Sequence, residues 1–129
     1  MRVLVDTHVF LWWSSERAAR VSERVRDILG DGSNEVAFST VSAWEIAIKV
    51  STGRLALPDV PERYLPKRIR DHGFEVLPVG LVHALRVGSL PPIHRDPFDR
   101  MLIAQALVEG IPLITADPAV SQYDVETIW

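Results

Sequence analysis

Residues 96–115 read DPFDRMLIAQALVEGIPLIT. Asp96-Pro97 is a helix opening: an acid suited to capping, then a proline whose missing N–H costs nothing in the first turn. The apolar helix that follows runs from Asp96 to Glu109, and Gly110 closes it. Pro112 to Thr115 then reads as a strand. The same alternation continues in both directions. Downstream lie a turn over Asp117–Tyr123 and a last strand over Val125–Trp129. Upstream, Ser89–His94 (SLPPIH) is a rigid loop, Gly80–Val87 a short helix and Phe74–Leu77 a strand. Pro61–His72 reads as a helix rich in Arg and Lys, after a proline-bearing connection over Leu57–Pro61.

Nearer the start, Ser42–Ser51 is expected to be helical with Ala43, Ile46, Ala47 and Val50 inside, and Glu35–Ser39 to be a strand. Gly30–Asn34 (GDGSN) is a loop with a C-cap glycine. From Ser15 to Leu29, apolar residues recur at helical spacing. Thr7–Trp13 is a short helix or turn, and Arg2–Asp6 (RVLVD) a buried strand ending in an acid. Five strands alternating with helical segments predict an α/β fold whose central sheet is mostly parallel, with helices on both faces. No linker or repeat divides it, so residues 1–129 are expected to form one domain.

Composition narrows the function. Hydrophobic residues make up 47% and charged residues 24% of 129, the balance of a globular chain. The absence of cysteine removes disulfide scaffolds, zinc–thiolate sites and thiol nucleophiles together, and fits a reducing compartment. A net charge of −3 excludes a globally basic nucleic-acid binder, though not a local basic patch. The N-terminal stretch carries Asp6 and His8 among its apolar residues, so it is not a signal peptide, and no apolar run reaches the ~18 residues of a membrane helix.

The placement of the acids is the informative feature. Asp6 ends the first strand, and Glu45 is expected in the first turn of the helix after the second. Asp96 and Asp99 open the helix before the fourth strand, which Asp117 directly follows. In an open parallel sheet these positions share the edge formed by the carboxyl ends of the strands, where ligands bind. Two carboxylates about 4 Å apart repel by about 4 kcal/mol at an effective dielectric near 20. Such a cluster protonates, takes a cation or is held apart. Oxygen donors without cysteine or a histidine pair point to Mg²⁺ or Mn²⁺, and such an ion activates water and neutralises phosphoryl charge.

Taken singly, each acid also has a structural reading. Ser42-x-x-Glu45 matches a capping box, Asp96 an N-cap, Asp99 a dipole-favoured acid and Asp117 a turn starter. Asp6 has no cap to make unless it starts the next helix.

Four stretches carry a resemblance: LVDTHVFLWW at 4–13, SAWEIAIK at 42–49 with GRLALP at 53–58, HRDPFDRMLIAQA at 94–106, and LITADPAVSQY at 113–123. Together, in this order, they resemble PIN-domain proteins, and more closely the VapC-type toxins of prokaryotic toxin–antitoxin pairs. The resemblance implies a three-layer α/β/α sandwich and an acidic pocket for one or two Mg²⁺ or Mn²⁺ ions. It also implies endoribonuclease activity on RNA, a cognate antitoxin protein, a homodimer and a cytoplasmic, non-membrane setting. It makes Asp6 the first metal acid, Glu45 the helical glutamate, Asp99 the acid heading the D-x-x-x-I-A helix and Asp117 the acid after the strand end. Asp6 and Asp99 are then expected to hold the principal cation, with Glu45 and Asp117 completing the site directly or through water. Asp96 belongs to the HRDPFDR variant of the motif, as a supporting residue or a cap.

Thr7 and Thr115, beside two of the acids, are candidates to orient a water or a carboxylate, or else to satisfy backbone groups. Arg95, Arg100 and Lys49 are candidate RNA contacts, with Arg54 beside Lys49 at the pocket rim; Arg95 and Arg100 are equally suited to pairing with Asp96 and Asp99. Arg63, Lys67, Arg68 and Arg70 read either as an RNA track or as a solvated helix face. Trp12, Trp13 and Trp44 are expected in the core or an interface, and Phe10 to Trp13 would suit an apolar contact.

The rival functions are weaker. A phosphoacceptor receiver domain needs an acid next to Asp6 and a late lysine, and Lys49 and Lys67 are the only lysines. A D-x-D phosphatase needs an acid where His8 stands. A non-catalytic RNA-binding or antitoxin-binding module on the same fold is the alternative from a different class, and retention of all four pocket acids argues against it.

Overall fold

The computed structural model describes residues 1–129. Strands β1 (Arg2–Val5), β2 (Glu35–Ser39), β3 (Glu75–Leu77), β4 (Leu113–Ile114) and β5 (Thr127–Ile128) form one sheet in the order β3-β2-β1-β4-β5. Every pairing is parallel, with Val3 opposite Val36 and Leu4 opposite both Ala37 and Leu113. The connecting helices are α1 (Thr7–Trp13), α2 (Glu23–Gly30), α3 (Thr40–Ser51), α4 (Pro61–Asp71), α5 (Leu81–Val87) and α6 (Pro97–Glu109).

Alternation along β1 separates two cores. Val3 and Val5 face a cluster with Val9, Phe10, Val25, Phe38 and Ile46, drawn from α1, α2, β2 and α3. Leu4 faces the other way, toward Leu102, Ile103 and Ala106 of α6 and Leu113 of β4. Strands buried on both faces explain the unbroken apolar runs, since helices cover each side of a parallel sheet. The result is the expected three-layer α/β/α sandwich, with a sheet that is entirely parallel. Phe10 and Phe38 pack in a tilted pair, 4.4 Å between ring centroids, in the first core.

Several boundaries differ from the sequence expectation. The Ser15–Leu29 helix is broken: Ala18–Arg20 forms a 3₁₀ turn and α2 starts only at Glu23. Ser22 causes the break, because its hydroxyl accepts the Val25 N–H at 3.2 Å and so caps a new helix. Gly30 is the last residue of α2 rather than its left-handed cap. The cap expected at Gly110 is present, with φ +66°.

Helix α3 begins at Thr40, directly off β2, because the Ser39 hydroxyl accepts the Val41 N–H at 3.0 Å. Ser42 is therefore inside the helix, the capping box with Glu45 does not form, and Glu45 moves from the first turn to the second.

β1 is central, with β2 on one side and β4 on the other, so the chain order reverses there. The crevice at such a reversal, off the carboxyl ends of the strands, is where an open α/β sheet binds ligands. Asp6 follows β1 there, and Thr115 and Asp117 follow β4.

Candidate active site

Asp6 caps α1. Its Oδ1 accepts the Val9 N–H at 2.8 Å, and the residue is 8% exposed. The structural role that spacing left open for Asp6 is thus real, and it fixes the carboxylate at the end of the central strand. Burial pushes the Asp6 carboxyl above its ordinary range, against the Thr115 hydroxyl and the Val9 N–H, which favour the charged form; the Glu45 charge adds to the rise.

Glu45 is buried on α3 with both oxygens engaged. Oε1 accepts from the Thr7 hydroxyl at 2.7 Å and Oε2 from Lys49 Nζ at 2.6 Å. Thr7 has one proton and gives it to Glu45, so the Ser42 hydroxyl, 2.8 Å away, donates to Thr7. A chain Ser42–Thr7–Glu45–Lys49 thereby ties α1 to α3.

Asp99 lies in the first turn of α6 behind Asp96, whose Oδ1 caps the helix by accepting the Phe98 and Asp99 N–H groups at 2.8 and 3.3 Å. The Asp99 carboxyl is pushed up to about 7, first by burial, then by the Asp96 charge, with Glu45 and Asp6 adding and His94 opposing. Asp117 turns the chain after β4: its Oδ1 accepts the Ala119 N–H at 2.9 Å. The Thr115 hydroxyl accepts the Asp117 N–H at 3.1 Å and also borders Asp6.

His94 is the residue that sequence reasoning missed. Its Nε2 lies 3.0 Å from Asp99 Oδ2 and 3.1 Å from Asp117 Oδ2, and the ligand-type atoms of these three side chains fall within 4.8 Å of one another. Its sequence signals were its place at the head of the HRDPFDR stretch and its position two residues before the α6 cap. Asp6, Glu45 and Asp99 sense one another's charge, and Asp99 and Asp117 meet at His94. The four expected acids therefore converge on one edge.

The PIN domain model matches residues 3–126. This chain belongs to the PIN-domain family. It is 30% identical over 115 residues to Ribonuclease VapC22 of Mycobacterium tuberculosis, an alignment covering 89% of this chain and 86% of that protein. It is 38% identical over 66 residues to Ribonuclease VapC16 of the same organism, covering 51% of this chain and 47% of the relative. Among solved structures it is similar to that of VapBC2 from Rickettsia felis bound to a promoter DNA fragment, with a TM-score of 0.75 at 13% identity over 99% of this chain and 98% of that one.

Within this PIN domain the basic residues fall into two groups. Arg100 is committed to its own loop: its terminal nitrogens donate to the carbonyls of Pro91, Val87 and Leu90 and to the Tyr123 hydroxyl. Arg63 pairs with Asp59 at 2.8 Å and Lys67 with Asp71 at 2.6 Å, so that part of α4 is a solvated face. Arg95 is exposed, and Lys49 is held by Glu45.

A cleft of about 740 Å³, lined by none of the four acids and joined to them through the Lys49–Glu45 pair, runs between α1, the segment after α3 and α4, with His8, Trp12, Arg17, Lys49, Arg54 and Arg68 on its walls. Arg17, Arg54 and Arg68 have no carboxylate within 4 Å, and Arg68 stacks over Tyr64 at 5.4 Å. Phe10 is fully buried and cannot serve an interface, and Trp44 is 63% exposed against Phe98 rather than in the core. No helix is long and apolar enough to cross a membrane.

Proposed function

We propose that this chain is a metal-dependent endoribonuclease, the toxin of a toxin–antitoxin pair, with residues 1–129 acting as one PIN domain. One observation carries this reading. Asp6 is buried and Asp99 half-buried beside other acids, and both are held above the ordinary carboxylate range. Such a site favours a cation over the bare charges, and its all-oxygen carboxylate set suits Mg²⁺ or Mn²⁺. The likeness to Ribonuclease VapC22 supports the choice of RNA.

Asp6 and Asp99 would hold the principal ion. Thr7 and Lys49 occupy the two oxygens of Glu45, which favours Glu45 acting through a water. Asp117 completes the site beside Asp99, and the geometry is compatible with one ion or two. A bound divalent cation supplies a water nucleophile at neutral pH and neutralises charge at the scissile phosphate. The chain itself orients that ion with capped carboxylates and needs no protein nucleophile. In the test, metal-free protein is incubated with a mixed RNA pool and Mg²⁺, Mn²⁺ or EDTA. Metal-dependent cleavage is expected; a folded protein that cuts nothing with either ion would favour the non-catalytic binding module.

The cleft that the Lys49–Glu45 pair joins to the acids is the proposed path of the RNA strand, since unpaired guanidiniums bind phosphates and aromatic walls stack bases. Arg100 drops out of that proposal, Lys49 and Arg54 stay in it on the cleft walls, and Arg95, exposed outside the cleft lining, stays as a separate candidate. Arg54→Glu should raise the KM for RNA about tenfold and leave the melting temperature within about a degree, as expected of an exposed site. A KM within twofold of wild type would remove Arg54 from the path.

The same reading brings a cognate antitoxin protein, a cytoplasmic setting and a homodimer. The face of α5 that leaves Leu81, Val82 and Leu85 exposed is the proposed contact with a second copy.

A further inference from the structure

His94 Nε2 stands between Asp99 and Asp117, 3.0 and 3.1 Å from one carboxylate oxygen of each. We infer that His94 holds the metal-free site together as a positioning residue and gives way to the ion, rather than ligating it. The inference rests on the metal-dependent reading above.

The tautomer decides the matter. His94 Nδ1 accepts the Asp96 N–H at 3.1 Å. A neutral imidazole carries one proton, so with Nδ1 accepting, that proton is on Nε2. The Nε2–H therefore points at Asp99 Oδ2 and Asp117 Oδ2, 3.0 and 3.1 Å away, and is a donor to the carboxylates.

To ligate an ion through Nε2, the ring would have to move its proton to Nδ1 and break its bond to the N-cap residue of α6. The ring is also anchored from behind. The His94 N–H donates to the Tyr123 hydroxyl at 2.8 Å, and the same hydroxyl receives Arg100 at 3.0 Å.

Two consequences follow. An ion that takes Oδ2 of Asp99 and Asp117 must displace the Nε2–H, so His94 opposes metal entry. With the imidazole outside the donor set, the remaining ligands are all oxygens, which favours hard ions over zinc or nickel.

The test is calorimetric titration of Mn²⁺ into the full chain, with His94→Ala and Asp99→Asn alongside. The expected result is that His94→Ala binds Mn²⁺ about tenfold more tightly than wild type (about 1.4 kcal/mol) and, without metal, melts at a lower temperature. Binding that is unchanged or weaker overturns the inference, weaker binding being the mark of a lost ligand.

Nitrogen-15 NMR of the wild-type imidazole gives a second readout that needs no variant. The Nε2-protonated tautomer is expected without metal, and an Nδ1-protonated ring overturns the inference. Asp99→Asn separates the two levels. If it loses Mn²⁺ while His94→Ala merely fails to gain, the metal site stands and the role of His94 falls. If it binds Mn²⁺ as wild type does, the metal reading falls and takes the inference with it.

Discussion

Asp6→Asn should fold as the wild type does and cleave RNA about a thousandfold more slowly. The folding half follows from the cap. Asn is as good an N-cap as Asp, and its side-chain oxygen still receives the Val9 N–H that Asp6 holds at 2.8 Å. Removing the charge also relieves a buried group whose ionisation the fold already disfavours. The catalytic half follows from the lost charge. A preorganised electrostatic group at a reacting centre is worth about 10²–10³ in rate, and here the missing charge would weaken cation binding as well. Single-turnover cleavage at saturating Mn²⁺, with a thermal melt of the same preparation, measures both. Cleavage within tenfold of wild type would sink the assignment of Asp6 to the ion. A melt lowered by more than a few degrees would mean that the cap depends on the charge.

The same residue shows why structural and chemical readings of these acids need not compete. The first N–H groups of a helix lack partners, and an acid beside them is favoured by hydrogen bonding and by the helix dipole. In a parallel sheet, helix starts and strand ends share one edge. Capping therefore delivers carboxylates to the place where a ligand binds. Asp6 and Asp96 cap helices, Asp117 builds a turn, and all three face Asp99 or its neighbours.

Much of this was legible because it depends on local signals. Gly110, the Asp96-Pro97 opening and the apolar runs fixed the helix–strand alternation, and alternation fixed the parallel sheet. The start of α3 was not legible. Ser39 and Ser42 both suit a cap, and Thr40 and Val41 between them belong to neither the expected strand nor the expected helix; only the Ser39 hydroxyl on the Val41 N–H decides between the two starts. The long helix expected over Ser15–Leu29 failed for a related reason, since periodicity registers a face and is blind to a serine that caps in mid-run. The fates of the basic residues were hidden because pairing is tertiary. Arg100 and Arg54 look alike in sequence, yet one is held by its own loop and the other lines the cleft. His94 joined the site by the same kind of long-range contact, 23 residues from Asp117.

Asp99→Asn should have the opposite effect on stability to that on activity: metal-free, at pH 8, the variant should melt about 8 °C above wild type. Asp99 titrates at about 7 in the folded chain against an ordinary 3.8. Between those values the folded state keeps a proton that the unfolded state has lost, so stability falls as pH rises through the window and stays low above it. Taken alone, the difference is worth at most about 4 kcal/mol. Solvent reaches the side chain, which is 22% exposed, and screening reduces the penalty to about 2 kcal/mol. At this chain length that is about 8 °C.

His72 works the other way. Burial and the Arg68 charge hold it below its usual range, so it costs stability on acidification and blurs the acid side of the wild-type profile. The difference between wild type and variant at each pH cancels His72 and isolates Asp99. That difference should shrink toward zero as the pH approaches 4. Mg²⁺ should raise the wild-type melting temperature at pH 8 and leave the variant nearly unmoved, because the ion compensates the charge of the half-buried carboxylate. A variant that melts below wild type at pH 8 without metal would show that Asp99 holds the fold together rather than straining it, and would remove the electrostatic demand on which the cation site rests.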